Sequence, residues 1–334
     1  MTLLNAELKK VAIAAGRGDA TTNFSNNDLS NTIREKMIEE FGTDTLDYRT
    51  YRAHKVQLFE FIEDTIAPVV NDRTSEVFGQ FAEYKNLAFG DTNKFIVEDI
   101  QLFPVATISL GNGNVLRKRL DTDELVVPMH TIGAGVYEEL VRFLSGRTDW
   151  AKLTTRLADS FVNDIAQRIA EALYGSVDKL NSTYKGNVSG KDEDVKAKVI
   201  EIADHVEAAN GQAIIVGTKA ALRKLKPEVS SDQQKGDKNV SGYFGHVDGY
   251  ETIALPQFHK AGTDEFGIKN DVIFILPSTN EKLVKVIQDG HYIVREENGA
   301  EGYRTDMQVS FDVITRAGVA VITGAKYGAV ELSL

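Results

Sequence analysis

The sequence contains no cysteine, which excludes disulfides, thiol nucleophiles and cysteine-based metal clusters. Packing alone must therefore stabilise the folded chain. No run of apolar residues approaches the roughly 20 that are needed to span a bilayer. The N-terminus also lacks a signal peptide, since its apolar run at 11–15 is too short. These absences predict a soluble protein that is made in the cytosol and has no membrane partner.

Basic residues are outnumbered by acidic ones. Lysine and arginine total 38 against 49 aspartates and glutamates, which gives a formal net charge of −11, and no long basic run compensates. Proteins that bind nucleic acid usually carry a basic face, because neutralising phosphates supplies most of their affinity. The acidic balance suits a chain that lies near DNA without binding it tightly. The length allows two or more domains.

The sequence motifs of common enzyme sites are missing as well. There is no G-x-x-x-x-G-K loop, no H-E-x-x-H pair and no G-x-S-x-G turn. Gly133 and Gly135 precede a predicted helix, but Glu138 occupies the position of the third glycine in a dinucleotide fingerprint. We interpret these glycines as a flexible junction. The carboxylates at 192–194 are interpreted as helix-start residues that interact favourably with the macrodipole.

The histidines give no metal-binding pattern either. None of the six pairs with another at helical spacing: His54, His130, His205, His246, His259 and His291. We therefore predict no catalytic residue, no cofactor and no metal, and hence a protein that is not an enzyme.

The first thirty residues have the composition of an arm. The tract at 21–31 is polar with two isolated apolar residues, so it cannot bury enough surface to offset its own ordering entropy. We expect neighbouring subunits to hold it. Two amphipathic helices are predicted next, around 33–41 and 56–66, and the second is expected to end at Pro68.

Residues 95–128 predict a long hairpin that projects from the body. Apolar and polar residues alternate up to a tight turn at 111–114. Polar residues then occupy both faces of the returning limb, so the limb cannot lie on its own subunit's core. Ten residues of hairpin reach roughly 30 Å, and a lone hairpin is marginally stable. We therefore predict that it rests on a neighbouring subunit.

The hairpin tip supplies the predicted intersubunit contact residues, which are Asn112, Gly113, Arg117, Lys118 and Arg119. Two interpretations of the three basic residues stay open. They are either a solvated basic patch or partners of acidic groups on a neighbour in an acidic assembly.

The strongest helical pattern runs from Trp150 to Leu173, where apolar residues repeat every three or four positions. It predicts a helix over 149–174, about 39 Å long, with Gly175 as its stop. Apolar residues from Val136 to Leu144 are expected to form a preceding helix or to extend this one.

The character of the chain changes after a polar loop at 181–191, where we place a domain boundary. We predict a helix over 195–206, a buried strand at 213–216, a short helix at 219–226 and a polar loop at 227–239. Strands are expected at 243–247, 252–255, 272–276, 283–287, 291–294, 307–313, 319–322 and 329–332. The strands after 282 are expected to form one layer with the long helix.

In this order, the parts resemble the HK97-fold major capsid proteins of tailed bacteriophages. The segments that carry the resemblance are 213–218, 242–257, 270–277 with 284–286, and 306–322, which ends on Arg-Ala-Gly-Val-Ala-Val. The resemblance implies an α+β capsid fold in six parts. They are an N-terminal arm (1–32), N-terminal helices with the start of a peripheral domain (33–94), an extended loop (95–130), a peripheral domain with a spine helix (131–180), an axial domain (181–282), and C-terminal strands that return to the peripheral domain (283–334).

The resemblance also implies a function. A protein of this kind assembles through hexamers and pentamers into an icosahedral shell, the virion head, which encloses double-stranded DNA without sequence-specific binding. Its expected partners are its own copies together with portal, scaffolding and decoration proteins, and assembly is expected in the host cytoplasm. The short arm implies that scaffolding is a separate protein. The alternatives are an encapsulin-like nanocompartment shell and, more remotely, a cytosolic α/β enzyme.

Overall fold

Helices and strands alternate along the computed structural model in an α+β arrangement. The structure describes residues 48–88, 91–98, 122–139, 150–189, 192–227, 231–279, 282–296, 308–322 and 326–332, together with Ile13, Glu35 and Ile38. The predicted arm at 1–32 and the helix around 33–41 otherwise lie outside these residues. None of the described helices is long and apolar enough to cross a membrane.

Five helices are described: α1 (Tyr48–Phe78), α2 (Trp150–Val177), α3 (Asp192–Asn210), α4 (Lys219–Leu222) and α5 (Asp232–Ser241). The strands are β1 (Ala82–Leu87), β2 (Lys94–Glu98), β3 (Thr122–Val126), β4 (His130–Glu139), β5 (Lys185–Val188), β6 (Ala213–Thr218), β7 (His246–Val247), β8 (Tyr250–Leu255), β9 (Val272–Pro277), β10 (Val284–Asp289), β11 (Ile293–Glu296), β12 (Gln308–Val321) and β13 (Gly328–Leu332).

The first sheet is built around the long strand β12. β10 and β11 pair with successive parts of one edge of β12, and β4 pairs antiparallel with its other edge along all ten residues. β1 extends the sheet by running parallel to β10. The strands predicted at 307–313 and 319–322 are thus one continuous strand, β12, which is the central strand of this peripheral sheet.

The spine helix α2 packs its apolar stripe against α1 and β12. Its buried residues include Phe161, Ile165 and Ile169, at the spacing of one helical face. The predicted stop at Gly175 is wrong by two residues, because the helix continues to Val177. The prediction that α1 ends at Pro68 is also wrong. A proline removes one helical hydrogen bond, but the neighbouring residues of α1 are buried against α2, and this packing keeps the helix continuous.

The glycine-rich segment before the spine is a strand, which corrects the helix predicted from Val136 and the junction predicted at Gly133 and Gly135. All three residues lie in β4. Ile132 points into the core, whereas the two glycines lie on the exposed face. This alternation follows the period of two of a half-buried strand, and pairing with β12 fixes it.

The second sheet has the order β5-β13-β9-β6-β8-β7, and we call this sheet together with α3, α4 and α5 the axial domain. β6 and β9 are buried on both faces. Ile214 and Val216 join the core cluster that contains α2, whereas Ile215 joins the cluster beneath α3. The last strand, β13, pairs with β9 and β5. The prediction that all strands after 282 return to the spine layer is therefore wrong for this strand.

The predicted polar loop at 227–239 is also corrected in part, because α5 occupies 232–241. Ser231 begins this helix with a capping box, in which its side chain accepts from the amide of Gln234 and the Gln234 side chain accepts from the Ser231 amide. Gly242 ends the helix with a φ of 87°, a left-handed conformation that suits glycine. Local capping, without an apolar stripe, defines this helix.

Candidate assembly surfaces

The predicted extended loop leaves the body as a two-stranded ribbon. β2 and β3 pair antiparallel from Lys94 opposite Val126 to Glu98 opposite Thr122. Below the ribbon, the Asn93 side chain donates to the carbonyl of Val127 at 2.8 Å, and the Val127 amide donates to the carbonyl of Asn93 at 3.0 Å. These bonds hold the two limbs together where the loop begins. Residues 99–121, with all five predicted contact residues, lie outside the described part of the chain.

The inner face of the ribbon rests on a small apolar seat. Phe95 and Val127 from the ribbon side pack with Leu87 of β1 and Ile287 of β10, and all four are buried. Gly318 of β12 makes room for the ribbon's return, because a Cβ at this position would lie 2.4 Å from the carbonyl oxygen of Pro128. The seat therefore fixes where the ribbon joins the peripheral sheet.

A buried lysine lies beside this seat. The side chain of Lys285 is 2% exposed, and its ammonium forms an ion pair with Glu83, its register partner on β1. The same ammonium lies 5.3 Å from the ring centroid of Phe95, within the range of a cation–π interaction. Lys85 also holds the ribbon, since its ammonium donates to the carbonyl of Thr92 at 3.1 Å. Two lysines of the body thus fix the start of the loop.

The ion pair predicts unequal effects for its two partners. Glu83→Ala leaves the Lys285 ammonium buried without its carboxylate, and should lower the free energy of unfolding by about 2–3 kcal/mol. Lys285→Met keeps the aliphatic stem and removes the buried charge, so it should change that free energy by less than about 1 kcal/mol. Urea unfolding of unassembled subunits measures both. Equal losses in the two variants would contradict the argument.

The outer face of the ribbon carries uncovered aliphatic side chains. Ile96 is 72% exposed and Val126 is 53% exposed. The pairing register places both on the same face as Lys94 and Glu124, whose ammonium and carboxylate lie 2.6 Å apart. The described part of the subunit thus leaves an apolar surface open, framed by one ion pair.

Two further side chains of the helices form hydrogen bonds with distant parts of the chain. The Glu63 carboxylate of α1 accepts from the amide of Val294 in β11 at 2.6 Å, and burial raises the pKa of this carboxyl. The Tyr174 hydroxyl of α2 accepts from the amide of Lys269 at 3.0 Å. Burial raises the pKa of Tyr174 to about 12, and the bond between this hydroxyl and Lys269 joins the spine to the axial domain.

Residues 192–194 occupy the first turn of α3, as predicted from their sequence. The ammonium of Lys226 lies 2.8 Å from the carboxylate of Asp192 and lowers its pKa. Among the described residues, no three acidic or histidine side chains form a group that would hold a metal ion.

The sequence analysis did not predict a role for Lys285. Its signal was a single charge in the otherwise apolar run Val284–Ile287.

The fold is similar to solved capsid structures. The capsid of a native GTA particle aligns at 15% identity with a TM-score of 0.53, over 78% of this chain and 90% of that chain. The capsid structure of cyanophage P-SCSP1u aligns at 12% identity with a TM-score of 0.51, over 77% and 88%. A chain of Microbacterium phage Oxtober96 aligns at 11% identity with a TM-score of 0.52, over 77% and 90%. These likenesses establish the HK97-type capsid fold.

The spine helix, the two sheets and the paired loop base are thus the parts of an HK97-type capsid fold. No curated protein sequence matches the chain significantly. A family model does: the one described as "SPbeta prophage-derived putative capsid protein YonB" matches residues 8–331. The chain belongs to this capsid protein family. It therefore associates with its own copies into a shell, and its place is the capsid.

Proposed function

We propose that the chain is the major subunit of an icosahedral phage head, which assembles through hexamers and pentamers and encloses double-stranded DNA. Portal, scaffolding and decoration proteins are its proposed partners, and the host cytoplasm is its proposed place of assembly. Its role in this proposal is structural and not catalytic.

The observation that carries the proposal is the paired loop base. The ribbon formed by β2 and β3 is seated on the body by one face and presents Ile96 and Val126 on the other. A two-stranded ribbon is marginally stable alone, and a neighbouring subunit that covers this face would stabilise it. The net charge of −11 supports enclosure of DNA without tight binding, since like charges repel.

Electron microscopy of the full chain, after sizing by light scattering, tests the proposal. We expect closed shells, tubes or sixfold rings from the protein alone or with its scaffolding partner, and DNA inside shells made during phage production. Shells that hold protein cargo would instead indicate a nanocompartment. A uniform monomer or dimer under both conditions would contradict the proposal and return attention to the enzyme alternative.

A further inference from the structure

Two carboxylates of the axial domain share a single hydrogen-bond donor. Asp204 and Glu207, one turn apart on α3, lie 2.6 Å and 2.7 Å from the hydroxyl of Tyr250, which is buried at the start of β8. Burial and the two carboxylates raise the pKa of this phenol, so it keeps its one proton. One proton is donated to one acceptor at a time. The second carboxylate therefore lacks a donor at this point.

The described part of the chain supplies no cation to this pair. Lys196, two turns earlier on α3, is held by Asp248 at 2.7 Å. Glu251, next to Tyr250, is exposed and adds another negative charge. Among the described residues, no lysine or arginine side chain pairs with Asp204, Glu207 or Glu251. We call Asp204 and Glu207 the acidic end of the axial domain.

Basic side chains without partners gather at the other end of the same sheet. β6 continues directly into α4, and both Lys219, at the start of this helix, and Arg223, just after its end, are exposed. Within the described residues, neither of these side chains has a hydrogen bond or an ion pair. Lys226, three residues on, pairs with Asp192 in the first turn of α3. We call Lys219 and Arg223 the basic end.

The two ends are too far apart to meet within one subunit. β8 runs parallel to β6, so Tyr250 marks the amino ends of these strands and α4 follows the carboxyl end of β6. Six residues of strand span about 20 Å. Opposite charges at opposite ends suit a head-to-tail contact between copies, and such contacts close into rings when the rotation permits.

We propose that the acidic end of one axial domain binds the basic end of the next, with the Arg223 guanidinium of the neighbouring copy placed between Asp204 and Glu207. A guanidinium has five donors in a planar fork that matches carboxylate oxygens. The guanidinium supplies the second carboxylate with the donor that the Tyr250 phenol cannot provide. This inference rests on the proposed hexamers and pentamers, and it identifies a contact that closes them.

Charge reversal in the full-length protein tests the contact under conditions in which the wild type forms shells. Glu207→Arg and Arg223→Glu should each lower the yield of closed shells more than about tenfold, because like charges then face each other at every ring contact. The double variant exchanges the two signs and should recover most of the wild-type yield. Asp264→Arg, which reverses an exposed charge elsewhere in the domain, should assemble normally. Circular dichroism and thermal unfolding check that each variant folds.

Several results would overturn this inference. They are normal assembly of either single reversal, or a folded double variant that assembles no better than the singles. Wild-type assembly that required an added divalent cation, and that Glu207→Gln abolished while Arg223→Gln did not, would show that the acidic end holds a metal. A wild-type chain that never assembled with its partners would count against the proposed function itself.

Discussion

Deleting residues 111–121 should leave a folded, soluble subunit that no longer builds closed shells. The deletion spares β2, β3, the apolar seat and the hydrogen bond from Lys85 to Thr92, which together hold the base of the loop on the body. Because Glu98 and Thr122 face each other across the ribbon, residues 99–110 have only to connect adjacent ends. The subunit should keep its stability and lose only the reach of its loop.

Electron microscopy and light scattering measure the loss of shells, and circular dichroism with thermal unfolding measures the fold. A matched variant changes Arg117, Lys118 and Arg119 to glutamine and keeps the loop at full length. If this variant assembles, reach matters more than charge; if it fails like the deletion, the basic residues pair with a neighbour. Normal particles from the deletion variant would show that the loop does not rest on a neighbour.

The spine helix was predictable to within a few residues because the pattern that defines it lies within its own sequence. Leu157, Phe161 and Ile165 repeat at the spacing of one helical face, and this face is the one that packs on α1 and β12. Where burial and periodicity agree in this way, the sequence contains the whole signal. The buried strands at 213–216 and 272–276 were found from a different signal, because each is a short continuous apolar run of the kind that forms a strand buried on both faces.

Elements defined by distant partners were not predictable in the same way. β4 contains two glycines and an apolar spacing that also fits a helix, and its pairing with β12, far along the chain, makes it a strand. β13 contains small and apolar residues apart from Glu331, a pattern that would fit either sheet, and its pairing with β9 and β5 decides which sheet it joins. Helix α5 lacks an apolar stripe, and only its capping box and Gly242 indicate it.

The candidate assembly surfaces also differ in how far the sequence predicts them. The loop was predicted from the polar residues of its returning limb, which no core of its own could bury. Its seat was not, because the contact between Lys285 and Phe95 joins two strands that are distant in sequence. The charged ends of the axial domain depend on β8 running parallel to β6, a relation that periodicity does not contain.

The junction between the spine and the axial domain should show the largest loss of stability. Phe274 of β9 is 1% exposed, and its ring centroid lies 5.5 Å from that of Tyr174 on α2. It belongs to the cluster that contains α2, while its neighbours Ile273 and Ile275 belong to the cluster beneath α3. Phe274→Ala opens a cavity where the axial sheet meets the spine, and should lower the free energy of unfolding by about 3–5 kcal/mol.

Urea unfolding of unassembled subunits measures this loss, and Phe266→Ala is the matched control. Phe266 is 54% exposed on a loop of the same domain and contacts His259, so its removal should cost less than about 1 kcal/mol. Phe274→Leu fills most of the cavity and should fall between the two. If Phe274→Ala cost no more than the control, the axial sheet would not depend on its contact with the spine, and the two domains would be stable independently.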